Sequence, residues 1–164
     1  MADQLVFPVP ERFRRGNYGG RRLVETGKDI VDLVCDLGGL DSLDGLDVLD
    51  YGSGYRLAQV ILEYGLGVRS YCGVDIDPEM IDWLSANSPD SRLSFVHVPF
   101  RNEMYRPDGI PLTADSILPI GDRHFDVIIL ISVITHLNPP TPGVSCRCCV
   151  GSCAPAVSSF SRRS

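Results

Sequence analysis

Apolar positions along the chain alternate between two spacings. From Gly20, Leu23, Gly27, Ile30, Val31, Val34 and Leu37 fall on one helical face, and Gly38-Gly39 stops that helix. Asp41–Gly45 is turn chemistry, and the apolar run around Val48 and Leu49 predicts a first strand closing on Asp50. Two glycines two apart, Gly52 and Gly54, follow at once. Helical spacing returns with Leu57, Val60, Ile61 and Tyr64, ended by Gly65 and Gly67. Val68–Val74 predicts a second strand closing on Asp75. Asp77-Pro78-Glu79 is a helix start, with an acid as N-cap and proline at the first helical position. Met80, Trp83, Leu84 and Asn87 continue that helix until Pro89, with Trp83 expected to pack it on the sheet. Leu93–Val98 predicts a third strand. Residues 99–124 read as a long polar connection, functional or loosely ordered. Phe125–Ile134 is the most apolar run, expected to be a parallel strand covered on both faces.

Strands alternating with helices predict an α/β fold, a doubly wound, mostly parallel sheet of about four strands. Three segments follow: an irregular lead-in over 1–19, a domain over 20–137, and a low-complexity tail over 138–164. From Asn138 onward there is no Asp, Glu, Lys, Leu or Ile, and all 21 acids precede it. Such a segment buries too little apolar surface to offset its ordering entropy, so the tail is expected to be disordered. Its Arg, Pro, Ser and Cys content also fits coding sequence read out of frame.

Composition narrows the function class. With 44% hydrophobic and 22% charged residues, the 164-residue chain suits a soluble domain with a real core. A net charge of -6 disfavours nucleic-acid and acidic-membrane surfaces. There is no run of 18 apolar residues and no basic start with an apolar segment behind it, so the cytoplasm is the expected location. Cys35 and Cys72 are expected to be buried apolar residues. Cys146, Cys148, Cys149 and Cys153 lack the paired C-x2-C spacing of a zinc site.

The chemistry concentrates where the first strand meets its turn. In open α/β sheets ligands bind at the carboxyl ends of strands, and glycines there let a ligand approach bare backbone. A dinucleotide needs G-x-G-x-x-G, but the third glycine position is Leu57. Asp50 immediately before the turn suits a ligand with a cationic amino-acid end and no phosphate, as in S-adenosylmethionine. Asp75, closing the next strand, can accept hydrogen bonds from both ribose hydroxyls.

Val48-Leu49-Asp50-Tyr51-Gly52-Ser53-Gly54, Tyr71–Met80, Leu118-Pro119 leading into Phe125–Ile128, and Ser132–Leu137 together resemble the class I S-adenosylmethionine-dependent methyltransferases over about residues 20–137. The resemblance implies a Rossmann-like core, with this chain's four strands in the order 3-2-1-4, and methyl transfer to a small-molecule acceptor it does not identify. Gly52 and Gly54 would pack against the cofactor's methionine end, Asp50 would help fix its amino group, Asp75 would bind the ribose, and Ile76 would lie against the adenine. The family's acid after the third strand is missing from His97-Val98-Pro99-Phe100, and Asp115 is the substitute. His136 is the candidate general base for the acceptor. Arg56 stands where the family's turn usually carries a third glycine, and the family's later strands are not found, so the domain is expected to be truncated after its fourth strand. The alternative is a non-catalytic fragment binding cofactor weakly or not at all. Under it, the exposed edge of the fourth strand would favour self-association.

Overall fold

The structure, a computed structural model, describes residues 6–13, 23–102, 105–113 and 115–131. Tyr18, His136, the C-terminal cysteines and the tail over 138–164 lie outside the described residues. The order is α1 (Leu23–Gly38), β1 (Asp47–Tyr51), α2 (Arg56–Glu63), β2 (Ser70–Asp75), α3 (Pro78–Asn87), β3 (Leu93–His97) and β4 (Val127–Ile129). The strands form one parallel sheet in the order β3-β2-β1-β4, the expected 3-2-1-4. This is the α/β, Rossmann-like core.

Local chemistry explains the elements. The Asp77 side chain accepts from the Met80 amide at 3.2 Å, so the predicted cap on α3 is real. After α1 and α2, Gly39 (φ 62°) and Gly65 (φ 63°) adopt the left-handed conformation that turns a helix off. The Leu40 amide then reaches back to the Cys35 carbonyl at 2.9 Å, and the Leu66 amide to Ile61 at 2.9 Å. Those six-to-one bonds satisfy carbonyls that the helix ends would leave open.

One face of the sheet carries the main core. Val48, Tyr71, Leu93 and Ile129 point to it, and Val24 and Val31 of α1 and Leu57, Val60 and Ile61 of α2 pack down on them. Gly27 lets α1 and α2 meet, because a Cβ there would lie 2.4 Å from Val60 Cγ2 and 3.0 Å from Arg56 Cγ. Arg56, at the position of the family's third glycine, is the first residue of a regular α2.

The opposite face differs from expectation. Val98 and Phe100 are buried there against Leu49, Cys72 and Val74, with Leu118, Ile120 and Phe125 alongside. Much of the 99–124 connection is therefore a structured cover, pinned by backbone bonds such as Ile110 N–H to the Pro99 carbonyl at 2.8 Å. Its apolar residues are too scattered to show a period. That cover stops short of β4. Ile128 is 38% and Leu130 44% exposed, so the run is not covered on both faces, and the described strand is only three residues long.

The described part of the lead-in, residues 6–13, is packed on the domain, which its sequence does not suggest. Phe7, Val9 and Phe13 are buried against Tyr55, Met80 and Leu84. Gln59 Nε2 donates to the Phe7 carbonyl at 2.8 Å. Trp83 packs mainly on this segment, not on the sheet: its ring lies 5.4 Å from Phe7 and 6.1 Å from Phe13. Among the described residues, no helix is long and apolar enough to cross a membrane.

Candidate active site

Chain direction across the sheet reverses at β1. β2 and β3 lie to one side and β4 to the other. The crevice outside the carboxyl ends of the strands at such a switch point is where an open α/β sheet takes a ligand. A cleft of about 580 Å³ opens at that point. Asp50, Gly52, Gly54, Asp75 and Ile76 all line it, five residues from two strand ends that the fold brings into one space.

The glycine turn is tied to β2. Gly52 (φ 76°) and Gly54 (φ 51°) hold left-handed conformations that a side chain would strain. The amides of Gly52 and Ser53 both donate to the Val74 carbonyl, at 2.7 and 3.1 Å. The Gly54 amide donates to Asp75 Oδ2 at 2.8 Å. The turn thus curls over the end of β2 and lies close against it. Gly73 makes this approach possible, because a Cβ there would stand 2.9 Å from Ser53 Oγ.

Asp75 does two jobs at once. Oδ2 takes the Gly54 amide, and Oδ1 takes the Asp77 amide at 3.1 Å. Burial pushes its carboxyl above the ordinary value, and the amides of Gly54, Asp77 and Ile76 pull it back down. A carboxylate has about four acceptor sites, so capacity is left for a ligand hydroxyl.

Asp50 is 4% exposed. Tyr71, fully buried on the neighbouring strand, donates its hydroxyl to Asp50 Oδ2 at 2.8 Å. Burial pushes the Asp50 carboxyl up to about 7; the Tyr71 hydrogen bond and the Arg56 charge oppose that rise, and the Asp75 charge adds to it. A cationic ligand group beside Asp50 would favour its charged form.

Ile76 is half-buried, with its carbonyl accepting from Arg106 Nη1 at 3.0 Å. Asp115 is not brought to the cleft: it is exposed, in a turn of the cover segment. His136 is outside the described residues. Sequence reasoning missed Tyr71, whose position on β2 reads as an ordinary core residue. It also missed Arg106, which lines the cleft alongside Asn102, Tyr105 and Asp108. No spacing marks these; the fold-back of the chain after β3 brings them in.

A family model described as a methyltransferase domain matches residues 21–144. Among solved structures, the chain is similar to the complex between the Haloferax volcanii Trm112 methyltransferase activator and a methyltransferase, with 22% identity and a TM-score of 0.35. That similarity covers 63% of this chain and 42% of that one. It is also similar to the crystal structure of Thermoplasma acidophilum 1320, with 21% identity and a TM-score of 0.32, over 47% of this chain and 44% of that one. The chain spans less than half the length of each of these solved chains. The family match takes in the glycine turn, both strand-end acids and all four strands, and on it the chain belongs to the methyltransferase domain family, built on the Rossmann-like class I core.

Proposed function

We propose that the cleft binds S-adenosylmethionine and that the protein transfers its methyl group to a small-molecule acceptor. The observation that carries this reading is the convergence of Asp50, Gly52, Gly54, Asp75 and Ile76 on one cleft at the sheet's switch point.

The residues present fit such a ligand. Asp75, held by two backbone amides, offers its remaining lone pairs to a vicinal diol. Asp50, held by Tyr71, offers a carboxylate to an ammonium. Gly52 and Gly54 leave bare backbone beside it. Ile76 supplies an apolar surface for a flat base. When bound, S-adenosylmethionine supplies a methyl group already activated on a positively charged sulfur. The chain's own part is then to hold, align and keep water from the reacting groups, which can supply most of the acceleration.

Calorimetric titration of the full chain with S-adenosylmethionine and S-adenosylhomocysteine tests the reading. Saturable heat with one site is expected. A folded chain giving no heat at millimolar ligand would overturn it.

A further inference from the structure

The cleft has a wall that neither the sheet nor the glycine turn supplies. After β3 the chain folds back on itself: the Asn102 amide donates to the Arg106 carbonyl at 3.0 Å, and the Arg106 amide donates to the Asn102 carbonyl at 2.7 Å. A parallel bridge between Phe100 and Ile110 anchors the base of this fold-back, with the Arg101 amide on the Ile110 carbonyl at 2.7 Å. Gly109 is needed where the two arms touch, since a Cβ there would lie 2.6 Å from the Arg101 amide nitrogen.

The Arg106 side chain then reaches back to the sheet. Nη1 donates to the Ile76 carbonyl, just past the end of β2, at 3.0 Å. The same nitrogen lies 2.8 Å from Nε2 of His97, the last residue of β3. A guanidinium only donates, so His97 must accept at Nε2 and carry its proton at Nδ1. One half-buried side chain thus ties the fold-back to the ends of two adjacent strands.

We propose that Arg106 is a positioning residue: by bridging Ile76 and His97 it fixes the wall, with Asn102 and Tyr105, against which the base of an adenosyl ligand rests. This rests on the S-adenosylmethionine reading, in which Asp75 takes the ribose and Ile76 one side of the base. The next groups along the sheet are then His97 and Arg106. The wall occupies the place for which Asp115 was expected, and Asp115 lies elsewhere.

The test uses S-adenosylhomocysteine and 5′-methylthioadenosine, which share the base and ribose, in titrations of the full-length protein and three variants. Arg106→Ala should weaken both ligands by the same factor, about tenfold, the worth of one to two lost hydrogen bonds at the wall. His97→Ala should weaken both less, because the Ile76 bond survives. His97→Gln, which restores a side-chain acceptor, should recover most of the His97→Ala loss. In the free protein, Arg106→Ala should also speed hydrogen exchange at the Asn102 and Arg106 amides while leaving Gly54 protected. Equal affinity in Arg106→Ala and the unaltered protein, or no difference between His97→Gln and His97→Ala, would overturn the role of Arg106. Absence of binding by the unaltered chain would instead overturn the S-adenosylmethionine reading itself.

Discussion

Tyr71 and Asp50 are joined across β2 and β1 by a 2.8 Å hydrogen bond, phenol to carboxylate, at the buried floor of the cleft. The phenol is the polar partner that lets a strand-end acid remain buried under the glycine turn. Replacing it by Phe in Tyr71→Phe keeps the ring and removes the donor. Where Asp50 is ionised, the loss should be about 1.5–3 kcal/mol, and where it is protonated nearer 1 kcal/mol. Urea unfolding at pH 8.5 and at pH 5 measures both. Equal losses at the two pH values would mean that the phenol does not discriminate the charged form.

Asp50 also sets a pH dependence, with a definite sign. Its folded-state value of about 7 lies above the ordinary carboxylate value of 3.8. The folded protein therefore holds a proton that the unfolded chain has released. Stability falls as pH rises between those values and levels off above about 7. The full drop attributable to Asp50 is about 4 kcal/mol. Asp75, also raised, contributes in the same direction. Asp50→Asn cannot ionise, so its stability relative to the unaltered protein should increase from pH 4.5 to pH 8. Parallel stability curves for the two proteins would refute this.

Asp75→Asn should damage ligand binding more than its size suggests. Both carboxylate oxygens accept from backbone amides. An amide side chain would turn its own NH2 toward one of those donors. The turn loses an anchor and, on the proposed S-adenosylmethionine reading, the ribose loses an acceptor. Affinity for S-adenosylhomocysteine should fall about a hundredfold or more by calorimetry. Unchanged affinity would remove Asp75 from the ribose.

Gly27→Ala tests the contact between α1 and α2. The new methyl would lie 2.4 Å from Val60 Cγ2, a fully buried atom group with little room to move. The helices must separate, at a cost of about 1–3 kcal/mol, offset in part by alanine's better helix propensity. A urea midpoint equal to or above that of the unaltered protein would show that the helices have slack.

Elements with a strong local signal were legible in the sequence. The α3 start at Asp77-Pro78 needed only neighbouring residues, and its cap is in place. The two left-handed glycines after α1 and α2 stand where helical periodicity ends. The alternation of elements pointed to the α/β class, while the strand order came with the methyltransferase resemblance. Asp50, Gly52, Gly54 and Asp75 were found because strand ends and glycine spacing mark them, Ile76 because the family resemblance implies it, and all five meet in one cleft. What was hidden depended on contacts between distant, unpatterned segments. Phe7, Val9 and Phe13 are buried by a lead-in that has no period. Arg106 reaches the cleft only because the chain doubles back after Pro99. Tyr71 acquires its role from a carboxylate 21 residues away, which no local pattern reveals.

The central place of β1 has a consequence for how the chain is made. Its neighbour β2 lies 23 residues ahead along the ladder, but its other neighbour, β4, lies 79 residues ahead. At ribosomal speeds of about 5–20 residues per second, one edge of β1 waits roughly 4–16 s for its partner to be synthesised. During that interval the nascent sheet can hold only β1, β2 and β3, with the backbone donors and acceptors of Asp47 and Leu49 open on one side. Slow codons or a crowded polysome would lengthen the exposure, so yield in expression should depend more on translation rate and chaperone supply than on the stability of the finished fold.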